Sequence, residues 1–185
     1  MMNEKFSHRS IAITGTILTI FYLLLYQLNA GIVGTFETHG IAALVFLPAF
    51  VRLLGFLLIG FWAAPFLFLG AALSLDFGLD LGAQITVAAL LEVGAPAALV
   101  LIQKAGLHRS PLRHLTGRQL LVLSLVAALG SAITYHIGLS LAGLEVYSAR
   151  SFATTVFGNA AGAWAVMYAA KIVMTVVGKA WSALR

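Results

Sequence analysis

Arg52, Glu92 and Lys171 are ionisable side chains set inside long apolar runs. An ionised side chain at the centre of a bilayer costs about 2.5–3.5 kcal/mol on insertion scales, so such groups face the protein interior and pair. Arg52 and Glu92 form the natural couple. If their spans begin at residues 41 and 81, each lies 11 residues in, and parallel spans set them at one depth. Such a pair either pins helix packing or forms part of a ligand site. Lys171 lies near the end of its span, where its stem can snorkel to the interface. Trp164, Tyr168 and Lys171 share one helical face, which leaves room for a cation–π contact.

Two further polar residues fall within spans. His136 and Asn159 are expected to hydrogen-bond across a helix interface. No second histidine lies in a span, so no metal is expected. Ser124 and Ser131 lack a histidine and an acid that the sequence can assemble around them. The expectation is a chain with no catalytic residues and no cofactor, and not an enzyme. Gly158 and Gly162 form a GxxxG, and Gly130, Thr134 and Gly138 recur every four residues. Small residues let membrane helices approach closely, so both faces are expected to pack within one bundle.

These residues need membrane helices to position them. The chain has 185 residues, 61% of them hydrophobic and only 9% charged, with a mean hydropathy of +1.01. A soluble domain carries about a quarter charged residues, so this composition excludes one. There is no cysteine, hence no disulfide and no thiolate site. The basic N-terminus leads into an apolar run without a cleavage site, which reads as an uncleaved first span.

The most apolar stretch, residues 41–74, carries one charge, Arg52. As a single helix it would run about 50 Å, against a hydrocarbon core of about 30 Å. It therefore breaks at Gly60-Phe61-Trp62 into a hairpin, with Pro48 kinking the first arm. The predicted fold is an all-α integral membrane bundle of six helices, over residues 11–28, 41–60, 61–75, 81–103, 119–141 and 151–177. Tyr22 and Tyr26, near one end of the first helix, read as interfacial aromatics. Thr116 and Gln119 have capping-box spacing at the start of the fifth. With the N-terminus in the cytoplasm, Lys5, Arg9, Lys104, Arg109, Arg113, Arg118, Lys179 and Arg185 all lie inside. Outside lies Arg150, with Glu37, Asp76, Asp80 and Glu145. Loop Lys and Arg set orientation, so both termini are expected to be cytoplasmic. The same placement explains the net charge of +5 without nucleic acid.

The run LPAFVRLLGFLLIGFWAAPFLFLGA resembles the early helices of MASE1-type bacterial membrane sensor domains. ITVAALLEVGAPAALVLIQ, which holds Glu92, resembles the helix that follows there. VFGNAAGAWAVMYAAKIV is similar to a late helix whose pattern often has Gly-Asp at the place of Gly158-Asn159. The resemblance implies a membrane sensory domain that feeds an attached signalling domain. Here the chain stops eight residues after its last span. The expectation is a sensor-like or accessory protein acting through a separate partner, by way of the basic loop of Lys104, Arg109, Arg113 and Arg118. That charge has a simpler use in fixing topology and touching anionic lipid. A second expectation is the small-molecule-binding membrane subunit of a transporter, since compact six-helix subunits of vitamin transporters have a similar size.

Overall fold

The computed structural model describes residues 7–33, 37–38, 42–74, 78, 80–106, 115–144 and 148–183. Among the described residues the regular structure is helical, apart from one antiparallel pairing of two-residue strands, β1 (Glu37–Thr38) and β2 (Ala42–Ala43). The helices are α1 (His8–Val33), α2 (Ala49–Ile59), α3 (Ala63–Ser74), α4 (Leu81–Lys104), α5 (Gly117–Leu141) and α6 (Ala149–Ala183), with a 3-10 turn at Gly60–Trp62 between α2 and α3. Five segments are long and apolar enough to cross a membrane: His8–Gly31, Ala49–Ser74, Leu81–Lys104, Gly117–Leu141 and Ala149–Val177. Large hydrophobic side chains such as Ile17, Leu24, Leu101, Leu141 and Val173 lie exposed along them, as contact with lipid requires.

The second segment is not one straight helix. Gly60 ends α2 with φ +63°, a left-handed conformation that glycine adopts freely. Helix directions follow from side-chain neighbours. Tyr22 and Asn29 of α1 meet Arg52 and Leu47 in reverse order, so α2 runs antiparallel to α1. Gly15 faces Phe66 and Gly70 faces Tyr22 in the same order, so α3 runs parallel to α1. The two short arms therefore fold back on each other, and Gly55 of α2 faces Ala63 and Leu67 of α3.

The remaining directions alternate. Leu53 and Phe56 of α2 pack with Ala95 and Leu99 of α4. Gly94 faces Gly130 while Gly138 faces Val87, so α5 is antiparallel to α4. His136 meets Thr155 and Ser124 meets Trp164, so α6 is antiparallel to α5.

The element boundaries carry corrections to the sequence reading. The first arm of the hairpin begins at Ala49 rather than residue 41. Pro48 opens it rather than kinking it, because a proline lacks the N–H that a first turn leaves unused. The chain before it is apolar but not helical. Its backbone donors are satisfied from elsewhere: Phe46 N–H donates to the Gly158 carbonyl at 2.9 Å, and Leu47 N–H to Asn29 Oδ1 at 2.9 Å. The second arm begins at Ala63, after the 3-10 turn, rather than at residue 61. α1 runs to Val33 and α6 to Ala183, both beyond the expected ends.

Local signals explain the other starts. Asp80 caps α4 by accepting from Gly82 N–H at 2.9 Å and Ala83 N–H at 3.1 Å. The Thr116–Gln119 capping box opens α5.

Candidate functional site

Arg52 stands on the first arm of the hairpin, 1% exposed, and Glu92 on α4 is fully buried. Their side chains meet. Arg52 Nη2 donates to Glu92 Oε1 at 2.8 Å, and Nε donates to Oε2 at 2.9 Å and Oε1 at 3.0 Å. This is the two-pronged geometry that matches a guanidinium to a carboxylate. α2 and α4 run side by side in the same direction, which sets the two residues at one depth.

Two more helices join the pair. Tyr22 of α1 donates its hydroxyl to Glu92 Oε1 at 3.0 Å and accepts from Arg52 Nη2 at 3.3 Å. Asn159 of α6 accepts from Arg52 Nη1 at 3.1 Å. The Phe46 ring lies 5.0 Å from the guanidinium carbon, within cation–π range. The cluster is thus Arg52–Glu92–Tyr22–Asn159, contributed by α2, α4, α1 and α6. A guanidinium has five N–H groups, and these contacts use four. Burying one charge alone would be prohibitive; here opposite charges neutralise each other and hydrogen bonds take up four of the five guanidinium N–H groups.

The local sequence prepares this centre. Pro96 is one turn beyond Glu92 and has no N–H to give the Glu92 carbonyl, the acceptor four residues back. Gly162 of α6 lets the chain before α2 lie against that helix: a side chain there would run into the backbone of Phe46 and Leu47, next to the bond from Phe46 N–H to the Gly158 carbonyl. This is how Phe46 comes within reach of Arg52. The GxxxG thus packs inside the bundle, with Gly162 against the irregular chain that leads into α2.

Tyr22 is a correction to the sequence reading. It is not an interfacial aromatic but wholly buried, because its hydroxyl has two charged partners at the centre. The expected His136–Asn159 bond is also corrected. Asn159 turns to Arg52, and His136 Nε2 stands 3.3 Å from Thr155 Oγ1, one turn earlier on α6. The antiparallel register of α5 and α6 sets Thr155, not Asn159, opposite His136.

Other expected residues fall outside the cluster. Lys171 is exposed on α6, and so is Tyr168. Trp164 is drawn away from them and donates Nε1–H to Ser124 Oγ at 2.7 Å. Gly130, Thr134 and Gly138 line the α4 contact: Gly130 and Thr134 face Gly94, and Gly138 faces Val87 and Leu90. Lys104 and Arg118 are exposed at the last turn of α4 and the first of α5. Arg109 and Arg113 lie outside the described residues. Among the described residues, no three of His, Asp and Glu gather as a metal ion would need.

Chemically the centre is a clasp. Both oxygens of Glu92 accept from Arg52, and one also accepts from Tyr22, so each charge is compensated in place. Comparison with family models, curated proteins and solved structures gives no match.

Proposed function

We propose that this chain is a non-enzymatic, sensor-like or accessory protein of a bacterial inner membrane, of the MASE1-like kind, acting through a separate protein. The observation that supports this reading best is the Arg52 clasp. It ties the hairpin to α1, α4 and α6 through side-chain hydrogen bonds. A ligand or partner that competes for Tyr22 or Asn159 would loosen the hairpin and change the ends of the neighbouring helices. The output surface in this reading is the stretch between α4 and α5, which begins at Lys104 and ends at Arg118.

The same reading counts the hairpin as two crossings. Six crossings then alternate in direction, and both termini lie on the cytoplasmic side with Lys104 and Arg118. The fold-back of α2 on α3 and the charge bias of the loops support this orientation. Reporter fusions within residues 76–80 are expected to read as external, and fusions within residues 109–113 as internal. An external signal from the second position overturns the orientation.

Cross-linking in membranes, then purification and mass spectrometry, tests the function. A signalling protein should be recovered with the wild-type chain and lost when Arg109, Arg113 and Arg118 are changed to Gln. Recovery of a bound small molecule and no protein would overturn the reading in favour of a transporter subunit.

A further inference from the structure

Beside the clasp is a small cavity between α2, α4, α5 and α6, of about 10 Å³. Its polar lining is Arg52, Asn159, Ser124 and Ser131; the rest is alanine apart from Leu53. Ser131 Oγ is buried and has no hydrogen-bond partner, the one such side-chain atom among the described residues. Its neighbours on α5 behave differently. Ser124 donates back to the Leu121 carbonyl at 2.7 Å, and Thr134 to the Gly130 carbonyl at 3.2 Å. Ser131 makes no such local bond. Arg52 also lines the cavity, and its guanidinium has one N–H beyond the four used in the clasp.

We propose that this cavity is a binding site for one uncharged, water-sized, hydrogen-bonding molecule, which in the cell is water, seated between Ser131 Oγ and Arg52 Nη1. Size sets the first limit. A site holds a water when it offers about 10–15 Å³ and at least two polar partners. Charge sets the second. The positive charge of Arg52 is already balanced by Glu92, so an anion would be buried without compensation. Polarity sets the third, because an apolar occupant would leave the hydroxyl and the N–H unpaired. The bound molecule accepts from the guanidinium and bonds the serine. It thereby connects α5 to a polar centre that otherwise joins α1, α2, α4 and α6. This site stands independently of the sensor reading.

The sign of one substitution tests it. If Ser131 Oγ has no partner, Ser131→Ala removes an unpaired buried hydroxyl, and the apparent melting temperature in detergent rises or holds. If a water bridges to Arg52, the same change strips that water of a partner. The melting temperature then falls by about 2–4 °C, the shift expected of roughly one hydrogen bond in a chain of this size. A crystal structure gives the direct readout. Density within hydrogen-bond distance of both Ser131 Oγ and Arg52 Nη1 is expected in the wild type and should weaken in Ser131→Ala. Three results overturn the proposal: no density where other buried waters are visible, a melting temperature that rises or holds, or an anomalous peak in the cavity after a bromide soak.

Discussion

Around Arg52, helices are joined by side-chain atoms at hydrogen-bond distance; between α4 and α5, they are joined by backbones that touch. In the first region four residues from four helices share two opposite charges. In the second, Gly94 and Gly130 lie so close that a Cβ on either would strike the other's backbone. Lipid offers no hydrophobic drive for helices to associate, so a bundle must use close packing or polar bonding, and this chain uses each in a different place. The difference is one of reach. Close packing needs two regular helices in full contact. The clasp can gather short or irregular elements, such as the eleven-residue α2 and the irregular chain before it.

The largest expected effect strikes the clasp. Glu92→Ala leaves Arg52 buried with no counter-charge and should destabilise by about 3–5 kcal/mol. Changing both partners, Arg52→Met with Glu92→Leu, should cost less than either single change. Unfolding in detergent for the full double-mutant cycle measures this, and purely additive costs would show that the pair carries no coupling.

Tyr22→Phe keeps the ring and removes the hydroxyl that bonds both charges. A loss of about 1.5–3 kcal/mol is expected, in the range of hydrogen bonds to charged groups. A variant as stable as wild type would remove α1 from the clasp.

The packed region should respond in the opposite sense to pairing. Gly130→Ala should cost about 1–3 kcal/mol by overpacking, and adding Gly94→Ala should make matters worse rather than better. If the double glycine variant recovers stability, the contrast between the two regions fails. The smallest effect belongs to the end of α5. Thr116→Ala removes half of the capping box and should cost about 1 kcal/mol, seen as faster amide exchange in the first turn.

Part of this organisation is legible in the sequence. Arg52 and Glu92 are opposite charges in apolar runs, so their meeting follows from cost; the depth count that also paired them began the first arm at residue 41, whereas α2 begins at Ala49. The starts of α4 and α5 follow from Asp80 and from the Thr116–Gln119 spacing, which are local signals. The role of Tyr22 is not legible. An aromatic toward one end of a span looks interfacial until the register of α1 against the hairpin is known. Asn159 is hidden for the same reason: residues one turn apart on α6 face different partners, and sequence spacing on a single helix cannot choose between His136 and Arg52. The late start of α2 is harder still. Residues 44–48 are as apolar as a helix yet form a bend and a turn, held by the Gly158 carbonyl and the Asn29 side chain, both distant in the chain.

That irregular stretch bears on how the protein is made. Lipid gives nothing to a bare backbone N–H, so irregular chain is tolerated at membrane depth only where protein covers it. The Phe46 N–H takes its partner from α6, and Arg52 is separated from its α6 partner Asn159 by 107 residues. During synthesis the hairpin therefore emerges well before the helix that completes it. Its partners on α6, the Gly158 carbonyl and the Asn159 side chain, become available only when α6 arrives. A chain arrested before residue 158 should accordingly leave the hairpin open to water-borne thiol reagents at a cysteine placed at Phe46, and release of the arrest should close it.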